Sequence, residues 1–173
     1  MRQKLFQILV YLGIGLAISA CGTNPSPPAV LNVALERGSV PSGTTNSFSS
    51  SYRISADKVN GEYRSQPFFS VIRIPAGASY VEGTSHVLFQ SNREPDSKGL
   101  CADGSSFLSF NFSEGEFISS NKTDPFIGVI VLKLLLQSEA DKELVRAEAS
   151  DSPIDPCGSL DDSESVMLRV YGN

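Results

Sequence analysis

The sequence predicts an all-β fold, an antiparallel β-sandwich with eight or nine strands and one disulfide. Short segments in which apolar and polar residues alternate recur along the chain, separated by turns rich in Gly, Pro and Ser. The longest apolar run after the N-terminal region, residues 126–136, is rich in β-branched residues, which favours a strand over a helix. Two cysteines, Cys101 and Cys157, lie in polar stretches, which favours a disulfide over core packing.

Five strand candidates precede residue 91. In the first, Leu31, Val33 and Leu35 alternate with polar or small residues. The segment 68–74 is apolar on both faces and is therefore predicted to be a central strand. The other three are residues 47–55, with Phe48, Tyr52 and Ile54 on one face, residues 79–82 and residues 86–90. Residues 91–105, which include Cys101, are predicted to form a loop.

Four strand candidates follow. Leu108, Phe110 and Phe112 alternate with polar residues, and segment 126–136 comes next. Residues 144–149 form a weaker candidate, for which a helix remains the alternative, and residues 166–171 close the chain. Turn signals at near-regular spacing indicate an immunoglobulin-like (Ig-like) sandwich. Strict alternation of strand direction would place the two cysteine loops at opposite ends, so either the strand count is off by one or a long loop runs along an edge.

The N-terminus has the organisation of a secretory signal peptide. Arg2 and Lys4 precede an apolar run of 14 residues, 5–18, which is too short for a hydrocarbon core that requires about 20. The sequence Ile18-Ser19-Ala20-Cys21 resembles the lipobox of bacterial lipoproteins. The resemblance implies cleavage before Cys21, a diacylglycerol thioether on its sulfur and fatty acyl groups such as palmitate at the new N-terminus. Two or three acyl chains make such an anchor stable.

The predicted organisation is a signal peptide over residues 1–20, an acylated Cys21 with a proline-rich tether over residues 21–28, and one domain over residues 29–173. The tether is expected to hold the domain off the membrane. Gly22 is not the aspartate that retains lipoproteins in the inner membrane of enteric bacteria. The resemblance therefore implies an outer-membrane destination in an organism with two membranes.

The net charge argues against two classes of partner. The signal carries two of the 14 basic residues and none of the 19 acidic ones, so the mature chain has a net charge of −7. An acidic chain without a basic cluster argues against nucleic-acid binding and against electrostatic docking on anionic lipid. The lipid anchor is expected to provide the membrane attachment.

Two segments of the mature domain carry a second resemblance. Residues 42–48, Ser-Gly-Thr-Thr-Asn-Ser-Phe, and the turn at residues 75–83, Pro-Ala-Gly-Ala-Ser-Tyr-Val-Glu-Gly, resemble an Ig-like repeat domain of uncharacterised function in bacterial surface proteins. Ile74 stands where that family has leucine, and the two cysteines are not a family feature. The resemblance covers residues 30–171 and implies adhesion, spacing or display, with no catalytic residue to carry over.

The sequence offers little for catalysis. His86 is the single histidine, and Gly83-Thr84-Ser85-His86 lacks the G-x-S-x-G spacing that exposes a nucleophile. No Cys-x-x-Cys pair occurs, so a transition-metal site and a cofactor other than the acyl groups are not predicted.

Acidic residues in the loops are the remaining candidates for a site. They are Asp151, Asp155, Asp161, Asp162 and Glu164 near Cys157, and Asp96 and Asp103 near Cys101. Together they could attract calcium, although residues 151–155 lack the spacing of the known calcium loop. A carboxylate pair could serve a hydrolase that acts on glycosides. Carbohydrate binding would use Tyr52, Tyr63 and Tyr80, since tryptophan is absent.

These observations favour a lipid-anchored, non-enzymatic cell-envelope protein that works as a binding or structural module, with a possible envelope protein as its partner. A calcium- or carbohydrate-binding surface domain is the alternative, and a small envelope hydrolase is the third hypothesis.

Overall fold

The computed structural model describes residues 26–60, 62–87, 92–116, 118–119 and 126–172. The predicted signal peptide and Cys21 lie outside the described residues. The described part of the chain contains one 3₁₀ turn, Ser138–Ala140, and fifteen strands. The strands are β1 (Ala29–Leu35), β2 (Val40–Pro41), β3 (Thr44–Ile54), β4 (Ala56–Val59), β5 (Glu62–Ser65), β6 (Phe68–Ile74), β7 (Ala78–Tyr80), β8 (His86–Val87), β9 (Ser97–Leu100), β10 (Ser106–Phe112), β11 (Ile118–Ser119), β12 (Phe126–Leu136), β13 (Leu144–Ser150), β14 (Glu164–Met167) and β15 (Val170–Tyr171).

Two five-stranded antiparallel sheets form the sandwich. The first sheet has the order β1-β3-β12-β7, with β8 also pairing with β12. The second sheet has the order β14-β13-β6-β10-β9. A small antiparallel sheet, β11-β5-β4, and a short parallel pair, β15-β2, complete the fold. The predicted all-β antiparallel sandwich is confirmed.

Alternation along the strands builds the core. Every second residue of β3 from Asn46 to Ile54 is buried, and so are the even-numbered residues of β12 from Ile130 to Leu136. In the second sheet β6 occupies the centre, as its apolar sequence predicts, and the Phe68 ring stacks on Phe112 with centroids 4.5 Å apart. The two inner faces therefore share one hydrophobic core.

The sandwich has two distinct ends. At the end called here the tether end, β3 finishes at Ile54 and β6 begins at Phe68, with the amide of Gln66 donating to the Ser55 carbonyl between them. At the opposite end, β6 leads through a turn into β7, which pairs with Leu136. Gly77 in that turn has φ +79°, and a Cβ there would lie 2.7 Å from the Ala140 amide nitrogen, so the turn requires glycine.

The loop over residues 151–163 explains how the two cysteines meet. It leaves β13 after Ser150, which lies opposite Phe69 near the tether end, and carries Cys157 to the other end. Val71 and Leu160 are buried but do not belong to the main core. Because Val71 lies on the outward side of β6, we infer that this loop covers the outer face of the second sheet. Of the two explanations that the sequence left open, the long loop is the correct one.

Several predicted boundaries were wrong. Residues 91–105 are not entirely loop, because Ser97–Leu100 pairs with β10 as β9. The hairpin formed by β4 and β5 was missed, and the closing strand is divided into β14 and β15 by residues 168–169. These short additional pairings raise the number of strands above eight or nine. The strand predicted over residues 86–90 is described only as far as Val87.

A β-bulge changes the face predicted for β1. The register against β3 shifts between Val30 and Asn32, so Val30 and Val33 are buried whereas Leu31 is exposed. The period of two predicted Leu31, Val33 and Leu35 on one face, and one extra residue in the strand breaks that pattern.

Candidate functional site

The disulfide predicted between Cys101 and Cys157 is present. The two Cα atoms are 5.5 Å apart, a normal separation for a disulfide, and the bond joins the loops that follow β9 and β13. Cys101 is buried and Cys157 is exposed. The end of the sandwich that contains this bond is called here the disulfide end.

Arg73 connects the same two loops through its guanidinium group. Its Nε donates to Ser105 Oγ at 2.8 Å, and its Nη2 donates to Asp103 Oδ2 at 3.0 Å. Its Nη1 donates to the carbonyls of Pro156 and Gly158, at 3.2 and 3.0 Å. The side chain is 14% exposed, so these charge-assisted bonds are partly shielded from water. The disulfide end is thus held by one covalent and one ionic connection.

A depression of about 360 Å³ lies beside this connection. Arg73 and Asp103 form part of its wall, together with Glu143 and Arg146. Arg146 lies directly opposite Arg73 on the neighbouring strand, is exposed, and pairs with no carboxylate of the described residues. The wall therefore carries two cations and two anions, and the Arg146 guanidinium is free to bind a partner.

Strand β9 gives this end of the molecule an open sheet edge. Within the described part of the chain it pairs only with β10. The amide of Cys101 donates to the Ser105 carbonyl across this ladder, so the alternation of an antiparallel pair turns the amides and carbonyls of Lys98 and Leu100 away from β10. Leu100 is 79% exposed. Exposed strand edges are sites at which another strand can add.

The other edge of the second sheet is less open. β1 of the first sheet lies against both β13 and β14, and so closes that side of the sandwich. The β9 edge is therefore the better candidate for strand addition.

The tether end collects most of the predicted acidic site. Asp151, Asp161, Asp162 and Glu164 line one depression of about 460 Å³ together with Pro27 and Pro28. Asp155 does not line this depression. Its carboxylate accepts a hydrogen bond of 3.0 Å from the amide of Cys157 within the loop. Asp103 is bound to Arg73 at the disulfide end.

Glu148 adds a carboxylate that the sequence did not single out. Its Oε2 atom is buried and has no hydrogen-bond partner among the described residues. Burial raises the pKa of this carboxyl, and the charges of Asp162 and Asp161 raise it further. Even so, no three His, Cys, Asp or Glu side chains in the described ranges are arranged to hold a metal ion.

The last residues of the predicted tether lie against the domain. The Ser26 carbonyl accepts a hydrogen bond from Ser55 Oγ, and Pro27 and Pro28 line the depressions at this end. In the part of the chain that the structure describes, no helix has the length and apolarity to cross a membrane.

The aromatic and histidine candidates fall in separate places. Tyr52 is 0% exposed, so its predicted role in stacking on a sugar is wrong: its ring belongs to the core. Tyr80 is half-buried, and its hydroxyl donates a hydrogen bond of 2.8 Å to Glu94. The side chain of Tyr63 is not among those that the structure describes. His86 is half-buried, with Nδ1 3.3 Å from the Thr84 carbonyl oxygen.

No protein-family model matches the chain, and no curated protein matches it. Among solved structures, the pilus 2b backbone protein of group B streptococcus is similar, with 14% identity and a TM-score of 0.45 over 79% of this chain and 56% of that chain. AvmM, which catalyses macrocyclization in alchivemycin A biosynthesis, is similar with 15% identity and a TM-score of 0.43, over 84% and 90% of the two chains. The chain thus spans 56% of the pilus protein's length.

Proposed function

We propose that this chain is a lipid-anchored, non-enzymatic cell-envelope protein that binds a partner protein. The lipobox at Cys21 supports the anchor, and its acyl groups attach the chain to the outer membrane in an organism with two membranes. The observation that carries the proposal is the position of the two ends. The tether joins the sandwich at Ser26, whereas the two disulfide-bonded loops and the unpaired edge of β9 lie at the opposite end.

The binding mode that fits best is strand addition to β9. The outward amides and carbonyls of Lys98 and Leu100 supply main-chain hydrogen bonds, and the exposed Leu100 side chain supplies an apolar contact. The free Arg146 guanidinium is available for an acidic group of the partner. Binding through a sheet edge needs no catalytic group.

The anchor is tested by cell fractionation of the Cys21→Ser variant. The native chain is expected in the membrane fraction, and the variant in the soluble envelope fraction. The Cys101→Ser/Cys157→Ser double variant is the matched control, since it removes two cysteines and keeps the anchor. Membrane association that is unchanged by Cys21→Ser would refute the lipid anchor.

The binding mode is tested with a photo-crosslinking amino acid at Leu100 in cells. Lys98→Pro removes an outward amide without removing a hydrogen bond to β10, whereas Lys98→Ala keeps that amide. A partner adduct should form in the native and Lys98→Ala backgrounds and disappear with Lys98→Pro. An adduct that persists with Lys98→Pro would exclude strand addition at β9.

A calcium-binding domain is the second candidate, since four acidic residues line one depression at the tether end, although no three of the described side chains are arranged to hold a metal ion. Calcium would then raise the melting temperature, and Asp161→Asn would abolish that rise. Asp155→Asn is the control, because Asp155 lies outside the depression. A melting temperature unaffected by calcium or a chelator would remove this candidate.

A further inference from the structure

We propose that the outer face of the first sheet rests on the lipid surface once Cys21 is acylated, which orients the whole domain. The proposal depends on the lipid anchor proposed above. It assigns an interaction surface to a face that the sequence did not identify, with a membrane as its partner.

The outward residues of β12 form an aliphatic row. The even-numbered residues of this strand are buried, so Ile127, Val129, Val131 and Leu135 point to the other side. Ile127 is 68% exposed, whereas Val129, Val131 and Leu135 are half-buried. Leu31 lies in β1, the edge strand of the same sheet, where the bulge turns it outward, and it is 45% exposed. Large apolar side chains exposed together on a sheet mark a contact surface.

The charge of this face is opposite to that of the molecule. The outward positions of β3 and β12 include Arg53 and Lys133 and no acidic residue. No carboxylate of the described residues pairs with Arg53, and its Nε is buried without a hydrogen-bond partner among them. One acidic side chain also lies on this face: Glu36, which follows β1, accepts the Ser47 hydroxyl, and Ser47 pairs with Lys133.

The second sheet carries the negative charge instead. Its outer face holds two cations, Arg73 and Arg146, and Glu148. The loop that covers this face adds four carboxylates, Asp151, Asp155, Asp161 and Asp162, so the acidic groups outnumber the cations. A chain with net charge −7 after processing therefore has one face that an anionic lipid surface attracts and an opposite face that it repels. The proposal thus departs from the expectation, drawn from bulk charge, that anionic lipid would not attract the domain.

The short segment between the lipid anchor and the domain favours a lipid surface over a protein partner at this face. Only four residues, 22–25, separate the acylated cysteine from Ser26, which is bound to the domain through Ser55. Fully extended, the chain from Cys21 to Ser26 reaches about 17 Å, against a headgroup layer of about 5 to 8 Å on each side of the bilayer. The anchor also continues directly into β1, the edge strand of this same sheet. A lipid surface is therefore always within reach of the face, whereas a protein partner must compete for it.

Spin labels at two exposed positions test the orientation. The acylated protein carries a nitroxide at Ile127→Cys or, as the matched control, at Leu100→Cys on the β9 edge of the second sheet. Each is reconstituted into vesicles of phosphatidylglycerol and phosphatidylethanolamine. Oxygen should relax the label at residue 127, and a polar nickel chelate should not reach it. The label at residue 100 should be accessible to both relaxing agents. Arg53→Gln with Lys133→Gln should weaken the protection about fivefold for each cation removed.

Three results would overturn the proposal in distinguishable ways. If palmitate labelling shows acylated protein but the nickel chelate reaches residue 127 as freely as residue 100, the docking fails and the anchor stands. If palmitate is not incorporated, both fail. A label at residue 127 that is immobile and shielded from oxygen as well as nickel identifies a protein contact, from a second copy or a partner, and also overturns the proposal.

Discussion

Ser70 Oγ donates a hydrogen bond of 2.8 Å to Tyr52 Oη and thereby joins the two sheets inside the core. Tyr52 belongs to β3 of the first sheet, and Ser70 belongs to β6 of the second. Ser50 Oγ lies 2.7 Å from the same phenolic oxygen, so three buried hydroxyls satisfy one another among apolar side chains. A buried polar network of this kind specifies one arrangement of the two layers, because any slip leaves hydroxyls without partners.

Replacing Tyr52→Phe should destabilise the fold by about 1 to 3 kcal/mol, since it leaves two buried serine hydroxyls without their partner. Tyr171→Phe is the matched control, because Tyr171 is exposed, and it should change stability by less than about 0.5 kcal/mol. Urea unfolding at pH 7 measures both variants. Equal effects would contradict the structural role of the Tyr52 hydroxyl.

The same residue predicts an alkaline limit to stability. Burial raises the pKa of Tyr52 to about 12, against about 10 in an unfolded chain. The folded state keeps its proton while the unfolded state loses it, so the contribution is complete below pH 10 and is lost as the pH rises towards 12. Unfolding free energies measured from pH 8 to 11 should fall for the native chain and fall less steeply for Tyr52→Phe. Parallel slopes would show that Tyr52 is not the group responsible.

Arg73→Gln should destabilise the fold by about 2 to 4 kcal/mol, because it breaks the bonds that hold both cysteine loops and leaves two half-buried carbonyls unsatisfied. Arg146→Gln is the matched control on the adjacent strand and should change stability by less than about 0.5 kcal/mol. Thermal unfolding under oxidising conditions compares the two. If both variants melt alike, the guanidinium of Arg73 does not hold the loops.

Removing the disulfide with Cys101→Ser and Cys157→Ser should lower the unfolding free energy by about 4 kcal/mol, since the closed loop spans 56 residues. The 151–163 loop should loosen first, because it is attached to the outer face rather than built into the core. Hydrogen exchange would show faster exchange at Val71 and its neighbours than along β12. Uniform acceleration across both sheets would contradict a local role.

Glu148→Gln should stabilise the protein at pH 7. Burial, then the charges of Asp162 and Asp161, raise the pKa of this carboxyl, so the folded state binds a proton more tightly than the unfolded state does. A raised acid pKa makes stability decrease as the pH rises, and the amide removes that penalty. The gain in melting temperature should shrink as the pH falls from the raised pKa towards about 4, below which both states are protonated. A gain that does not depend on pH would exclude this cause.

The sequence predicted the parts of the fold that follow a simple period. The alternation at Leu108, Phe110 and Phe112, and the apolar runs 68–74 and 126–136, each became a strand in a two-sheet sandwich. Burial of one face of a strand requires alternating apolar residues, and burial of both faces requires a continuous apolar run, so both patterns are visible in the sequence. The pairing of Cys101 with Cys157 was predictable because the chain is predicted to be exported and these two cysteines remain once Cys21 is assigned to the anchor.

Features that depend on three-dimensional neighbours were not predictable in this way. The bulge at Leu31 inserts one residue and reverses the exposed face, and β9 pairs through main-chain atoms with little side-chain signature. Arg73 was visible only as a lone cation in an apolar strand, and its partners lie 30 to 85 residues away in sequence. The grouping of four acidic residues beside Pro27 required knowing that the loop returns to the tether end.

The most direct test is the intact mass of the protein extracted from membranes, measured with and without reduction before alkylation. We predict a chain that begins at Cys21 with added acyl mass and takes up alkyl groups at Cys101 and Cys157 only after reduction. A mass corresponding to an unprocessed chain from Met1 without acyl groups would contradict the anchor, the membrane-facing sheet and the proposed function together.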